Sequence, residues 1–227
     1  AAKKNVDTSA DEEDWAPRPI MSKWKAFGLA TVTGVLAPVG FVGIDIWPIA
    51  FIAWVPLIIA MRGQQPRRAA WLGWWSGFLM TMIGFSWLVE MLEVFSGFPL
   101  AACVLFAAIL CLQKGGRIAL MGYLYGRAST RYRWHHGVTF FMAFAVSELV
   151  YPLLFPWYYA ASMHEVPVMM QTADIGGPIL VSIVILAVNV AVAELLEKPV
   201  FGLQLDRRMA IAGAIRKEER GTGEHLP

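Results

Sequence analysis

The sequence predicts an all-α fold: a polytopic transmembrane helix bundle of about six spans with both termini cytoplasmic. Three observations carry this. First, 57% of the residues are hydrophobic and only 16% charged, with a mean hydropathy of +0.53, against about 25% charged and 45–50% apolar in a typical soluble domain. Second, the charges gather at the two ends and in a few short patches, leaving long runs that are nearly uncharged. Third, the patches between runs alternate in character, one rich in Lys and Arg and the next devoid of both, which is the charge asymmetry of a chain threaded back and forth across a membrane. The net charge of +2 says little by comparison.

Residues 1–22 read as a polar cytoplasmic tail, with Asp7, Asp11, Glu12, Glu13 and Asp14 in a Pro-flanked setting. They lack the basic-then-apolar order of a signal peptide. A chain that opens on Ala is expected to be processed, truncated or a fragment, and Met21-Ser-Lys-Trp-Lys offers an alternative start. Residues 23–198 form the transmembrane helix domain. Its first span, about 24–42, is led by Lys23 and Lys25 and kinked or ended by Pro38 and Gly40. At 1.5 Å per residue it extends roughly 28 Å, about one hydrocarbon core. Asp45-Ile-Trp-Pro48 follows as a tight turn.

The second span, about 48–61, is short and interrupted by Pro56; Arg62, Arg67 and Arg68 close it. Pro within a span is tolerated where neighbours satisfy the freed carbonyl. The third, about 69–89, holds a Gly73/Gly77 pair on one face, a spacing that permits close helix packing. Glu90 and Glu93 then lead through Phe98-Pro99 into the fourth, about 100–126. Its Lys114 and Arg117 are expected to snorkel to the surface where Arg127, Arg131 and Arg133 cluster. The fifth, about 137–154, has Glu148 near its far end, and the sixth covers about 179–196. Residues 199–227 form a cytoplasmic tail, with apolar Met209–Ile215 as a short amphipathic or incomplete helix.

With the N-terminus inside, all 19 Lys and Arg fall on inner segments, provided Lys114 and Arg117 are counted inward. The outer segments hold Asp45, Glu90, Glu93, Glu165 and Asp174 instead. Between the fifth and sixth spans lie about two dozen residues dense in Pro, aromatic residues and Met. Helix connections are usually about two to eight residues. A loop this long and apolar is expected to lie on the outer membrane surface, facing lipid or a partner.

The usual catalytic apparatus is sparse. There is no nucleotide-type Gly-rich loop, no HExxH and no Gly-x-Ser-x-Gly. Cys103 and Cys111 sit eight residues apart in one apolar run, about 12 Å along a helix, too far for a disulfide and without ligands at metal spacing. No cofactor and no metal are expected. His135 and His136 read as interfacial, and the basic patches suit anionic lipid headgroups rather than nucleic acid. Two polar residues stand out within the spans. Glu148, at its depth, needs a partner or water. Asn189, in mid-helix, is expected to bond across to another helix.

Taken together these residues resemble a known family. Asp45-Ile-Trp-Pro48 is similar to the Tyr-x-x-Trp-Pro turn of the bacterial apolipoprotein N-acyltransferases. Gly73 to Trp87 resembles that family's Gly-rich third helix, and Phe98-Pro99 its lead into the fourth. Glu148 with Phe155-Pro156-Trp157 resembles its Glu…Gly-Phe-Pro-Trp signature. Gln171-x-x-Asp174-x-Gly176-Gly177, then Asn189, completes the order. The resemblance covers about residues 24–196. It implies a multi-pass protein of the bacterial inner membrane that takes part in moving an acyl chain from a phospholipid to the N-terminal cysteine of a lipoprotein.

The resemblance also implies a periplasmic nitrilase-like domain with a Glu-Lys-Cys triad, and these 227 residues do not contain its pattern. No catalytic residue is carried over. The expectation is a membrane domain that is not catalytic alone, either a truncated chain or one part of a split enzyme whose nitrilase-like chain is encoded separately. The alternative is a non-enzymatic scaffold or accessory subunit of a larger membrane complex. The candidate lipid- or partner-binding residues are Trp87, Glu148, Phe155, Pro156, Trp157, Met169, Asp174 and Asn189.

Overall fold

The structure, a computed structural model, describes residues 21–131, 135–152 and 157–196. Phe155, Pro156 and the two tails lie outside the described residues. Among those described, every regular element is helical.

Helix α1 spans Lys23–Leu36. It ends where Pro38 removes a backbone donor, and the chain tightens into a 3-10 turn over Ala37–Gly40. Ala26, Ala30, Thr33 and Gly34 form its buried face, small residues at helical spacing that let a neighbour approach. That neighbour is α3, Pro66–Gly84. Phe27 stacks on Trp75 at 5.2 Å, and the Trp75 indole donates to Thr31 Oγ1 at 2.9 Å.

The second apolar run is a 3-10 turn, Trp47–Phe51, followed after a break by helix α2, Val55–Met61. Pro56 sits in the first turn of α2, where its missing N–H costs nothing. The break frees backbone groups inside an apolar protein, and three of them find side chains. Asn189 Oδ1 accepts the Trp54 N–H at 2.9 Å, and its Nδ2 donates to the Ala50 carbonyl at 2.8 Å. Thr33 Oγ1 accepts the Leu57 N–H at 3.0 Å. Asn189 is fully buried and replaces the helix bonds that the break removes.

Helix α5, Leu100–Arg131, packs along α3. Glycine sets the closeness. A Cβ on Gly77 would lie 2.7 Å from Ile118 Cγ1 and 3.1 Å from Gly115 Cα, and one on Gly115 would lie 3.0 Å from the Trp74 carbonyl oxygen. Gly73 meets the Ile118 backbone and Gly122 the Ala69 backbone in the same way. The Gly73/Gly77 spacing is thus one half of a glycine seam whose other half lies on α5.

Beyond Gly84 the chain bends by 59° into α4, Trp87–Ser96. The sequence reading treats Glu90 and Glu93 as connection; here they are helical. Both are strong helix formers, no Gly or Pro intervenes before Gly97, and Leu88, Val89 and Leu92 pack with Ala107 and Leu110 of α5. Gly97, at φ +64°, caps the helix.

Helix α6, His136–Val150, runs back against α5, with Tyr125 packing on Phe140 at 5.7 Å. The segment after it is more ordered than a loop: a 3-10 turn over Tyr159–Met163 and a single turn α7, Pro167–Met170. The last helix, α8, begins at Ala173 rather than 179 and runs to Leu196. Ser182 on α8 accepts the Ala160 N–H at 3.0 Å, which fixes the 3-10 turn to it.

Leu100–Arg131 and Ala173–Leu196 are each long and apolar enough to cross a membrane, and the bent pair Pro66–Gly84 and Trp87–Ser96 counts as a third span if read as one. Trp47–Met61 and His136–Val150 are shorter apolar helices. The core lies between the helices around Trp54, whose ring meets Phe144 and Tyr159 edge-on, each at 5.5 Å.

Candidate functional site

The polar centre of the bundle sits where α5 passes the end of α6. Arg117 lies about 21 Å along α5 from Arg131, and Glu148 about 18 Å along α6 from His136. An antiparallel hairpin therefore brings the two to one level. Arg117 donates through Nη1 to Glu148 Oε1; their side chains are 5% and 0% exposed. The expected snorkelling of Arg117 and Lys114 does not occur: both are buried. An Arg side chain cannot cover about 21 Å to the helix end, so its charge is matched inside the bundle instead. The Arg117 guanidinium also lies 5.6 Å from the Phe144 ring, and Lys114 Nζ lies 5.3 Å from the Phe85 ring.

The same turn of α5 holds the chain as it leaves α6. Gln113 donates to the Pro152 carbonyl at 2.7 Å, and the Tyr151 hydroxyl donates to the Gln113 carbonyl at 2.7 Å. Glu148, Tyr151 and Pro152 are thereby all tied to one face of α5. When the chain returns to the described residues at Trp157, the indole is held between Phe41, at 4.2 Å, and Phe85, at 5.3 Å. Trp157 thus links the end of α1, the bend after α3 and the start of the segment that carries Met169.

The remaining sequence-derived candidates divide by exposure. Trp87 opens α4 and is exposed beside Phe85, ring to ring at 5.9 Å. Met169 is half-buried against the main core. Asp174 is exposed in the first turn of α8, where a carboxylate suits the helix dipole. Asn189 lies within the bundle with its amide engaged by Trp54, Ala50 and Ile185. Glu148 and Asn189 are therefore internal fasteners, whereas Trp87, Met169 and Asp174 reach the surface. Phe155 and Pro156 lie outside the described residues.

Glu148 Oε2 has no hydrogen-bond partner and is shut off from solvent. The centre offers a matched ion pair with one spare acceptor, and the thiols of Cys103 and Cys111 are both free and buried. What the sequence reading lacked was Glu148's partner. The signal was present in the register, because Arg117 and Glu148 lie almost equally far from the turn between α5 and α6.

Comparison with known proteins accords with this architecture. Residues 33–191 match the family model described as the apolipoprotein N-acyltransferase N-terminal domain. An apolipoprotein N-acyltransferase of Pseudomonas paraeruginosa is 30% identical over 182 residues, covering 75% of this chain and 34% of the relative. One from Bdellovibrio bacteriovorus is 27% identical over 174 residues, covering 72% of this chain and 31% of the relative. One from Pseudomonas putida is 34% identical over a shorter stretch of 95 residues, covering 41% of this chain and 18% of the relative. The chain thus spans about a third of the length of the curated relatives it matches. Together with its long apolar helices, these matches make it a bacterial membrane protein, and the chain belongs to the apolipoprotein N-acyltransferase N-terminal domain family.

Proposed function

We propose that these residues are the membrane domain of an apolipoprotein N-acyltransferase-like protein of the bacterial inner membrane. It crosses that membrane six times, with residues 23–198 as the helix domain and both polar tails in the cytoplasm. Two of the shorter apolar stretches are completed as spans by their flanks: α1 by the 3-10 turn after it, and α2 by the one before it. The charge asymmetry supports the orientation, since every outer segment still lacks Lys and Arg. Pairing Arg117 with Glu148 removes the need to count it on either side.

The role of the domain is to hold a phospholipid acyl donor in the outer leaflet and to seat the part of the enzyme that performs the transfer. The segment from Trp157 to Asp174 forms that seat, with Trp87 beside it. Phe155 and Pro156 are assigned to it with Trp157, while Glu148 and Asn189 keep it in place from within. The transfer chemistry belongs to a Glu-Lys-Cys nitrilase-like part outside these 227 residues, on the same polypeptide or on a separate chain. The observation that carries this reading is the family match over residues 33–191, joined to a bundle whose described cysteines are both buried.

The test is acyl transfer in proteoliposomes, from phospholipid to a diacylated lipopeptide with a free N-terminal cysteine. The purified chain alone should be inactive, and adding a nitrilase-like part from a relative should produce transfer. Activity of these residues alone would refute the assignment of the chemistry elsewhere. Purification with a large membrane complex, and no gain with the nitrilase-like part, would instead favour the non-enzymatic scaffold.

A further inference from the structure

We propose that Asp45, His164 and Glu165 form a binding site for one divalent transition-metal ion of the zinc class. These residues come from two connections far apart in sequence, the turn after α1 and the end of the 3-10 turn that precedes α7. One ligand atom from each lies within 4.8 Å of the others. One pair, His164 Nε2 and Asp45 Oδ1, is 3.3 Å apart. A tetrahedral zinc ion with bonds of about 2.0–2.1 Å places its donor atoms roughly 3.3–3.4 Å apart, so this pair already has the separation of one tetrahedral edge.

The ring is oriented for ligation. His164 Nδ1 lies 3.2 Å from the Ala161 carbonyl oxygen. With Nδ1 turned to that carbonyl, Nε2 is the ring atom presented to Asp45. A backbone acceptor on the far nitrogen is the usual support of a metal-binding histidine. The Asp45 carboxylate is held in turn by the Gly43 N–H, 3.2 and 3.1 Å from its two oxygens. The sequence has no Lys or Arg between Lys25 and Arg62 or between Arg133 and Lys198, so neither connection brings a basic side chain to neutralise the two carboxylates.

One imidazole and two carboxylates suit zinc-class ions rather than calcium or magnesium, which prefer oxygen alone. Three protein ligands leave a fourth position for water or for an oxygen of an anionic ligand such as a phosphate ester. The ion would clasp the turn after α1 to the segment that carries Met169. It therefore bears on the same surface as the proposed seat, yet the inference does not depend on the acyl-transfer reading.

The test uses the full chain, purified in detergent without an affinity tag and stripped with chelator. Co2+ titration is followed by visible absorbance, and thermal unfolding is followed with and without Zn2+. Wild type should take up one Co2+ with tetrahedral-type absorbance and unfold at higher temperature with Zn2+. His164→Gln and Asp45→Asn should weaken binding by more than about tenfold, the cost of losing even a supporting partner, while melting as wild type does without metal. His135→Gln, at the other imidazole–carboxylate contact, 3.2 Å from Glu194, should bind as wild type does. No saturable uptake by wild type, or uptake unchanged in His164→Gln, would overturn the proposal and leave the cluster as a plain His–Asp contact.

Discussion

Replacing Glu148 by Gln removes the charge that faces Arg117 and leaves the rest of the site in place. The Arg117 side chain is 5% exposed and cannot reach water, so its charge is left unmatched inside the bundle. Removing one partner of a buried pair costs about 3–5 kcal/mol, and Glu148→Gln and Arg117→Met should each fall in that range. Replacing both at once, Arg117→Met with Glu148→Leu, takes away both charges and both desolvation penalties. Such apolar replacements are often neutral or stabilising by about 1–4 kcal/mol. The double variant should therefore be more stable than either single one, with a coupling energy above about 2 kcal/mol. Unfolding in mixed micelles by added SDS, read by the fluorescence of the ten tryptophans, gives all four corners of the cycle. Single variants within about 0.5 kcal/mol of wild type, or a double variant equal to the sum of its singles, would refute the claim that this pair is matched in a water-excluded core.

Asn189→Leu leaves the Trp54 N–H and the Ala50 carbonyl without partners; at about 1–3 kcal/mol for each orphaned group, it should lose about 2–6 kcal/mol in the same unfolding assay. Gly77→Leu drives a side chain into Ile118 and Gly115, which a Cβ already meets at 2.7 and 3.1 Å, so cross-linking between cysteines placed on α3 and α5 should fall sharply, while Gly28→Leu, at an open position, should leave it intact. Trp157→Glu and Met169→Glu put a charge into the proposed lipid-facing seat, and each should reduce acyl transfer in the assembled enzyme by at least about tenfold, a loss of roughly 1.4 kcal/mol, with expression retained; wild-type rates in both would remove that seat from the account.

Much of the helical order was legible because apolar runs bounded by Arg patches, Pro and Gly are strong signals. The end of α1 at Pro38 and the weak second run around Pro56 both follow from proline's missing donor. The misreadings have specific physical origins. Helix α4 was hidden because Glu90 and Glu93 looked like a polar connection, although their helix propensity and the spacing of Leu88 and Leu92 favoured a helix. Sequence alone starts α8 late, at 179, because Gly176, Gly177 and Pro178 are turn residues by composition. In the structure they lie within it: Gly177 takes φ +67°, a local break that glycine adopts without strain, and the Ser182 hydroxyl donates to the Pro178 carbonyl at 3.1 Å.

The polar centre was only half legible. Glu148 advertises a need for a partner, but sequence alone ties Arg117 to the nearest basic patch, because counting charges by side ignores depth along a long helix. Asn189 was read as bonding across to another helix; that its amide fills a break in the second run depends on tertiary packing alone. The grouping of Asp45 with His164 and Glu165 joins two connections, and no local pattern in either one announces it.

The proposed function rests on the segment from Trp157 to Asp174 facing outward, where a lipid donor and a periplasmic catalytic part could reach it. Cysteine labelling in intact cells with a membrane-impermeant maleimide tests this directly, after Cys103 and Cys111 are replaced by Ala. Gln171→Cys and Ser96→Cys should react from outside, and Gln65→Cys should react only after the membrane is permeabilised. Protection of Gln171→Cys in intact cells, with labelling of Gln65→Cys, would place the segment on the cytoplasmic face and contradict the proposed function.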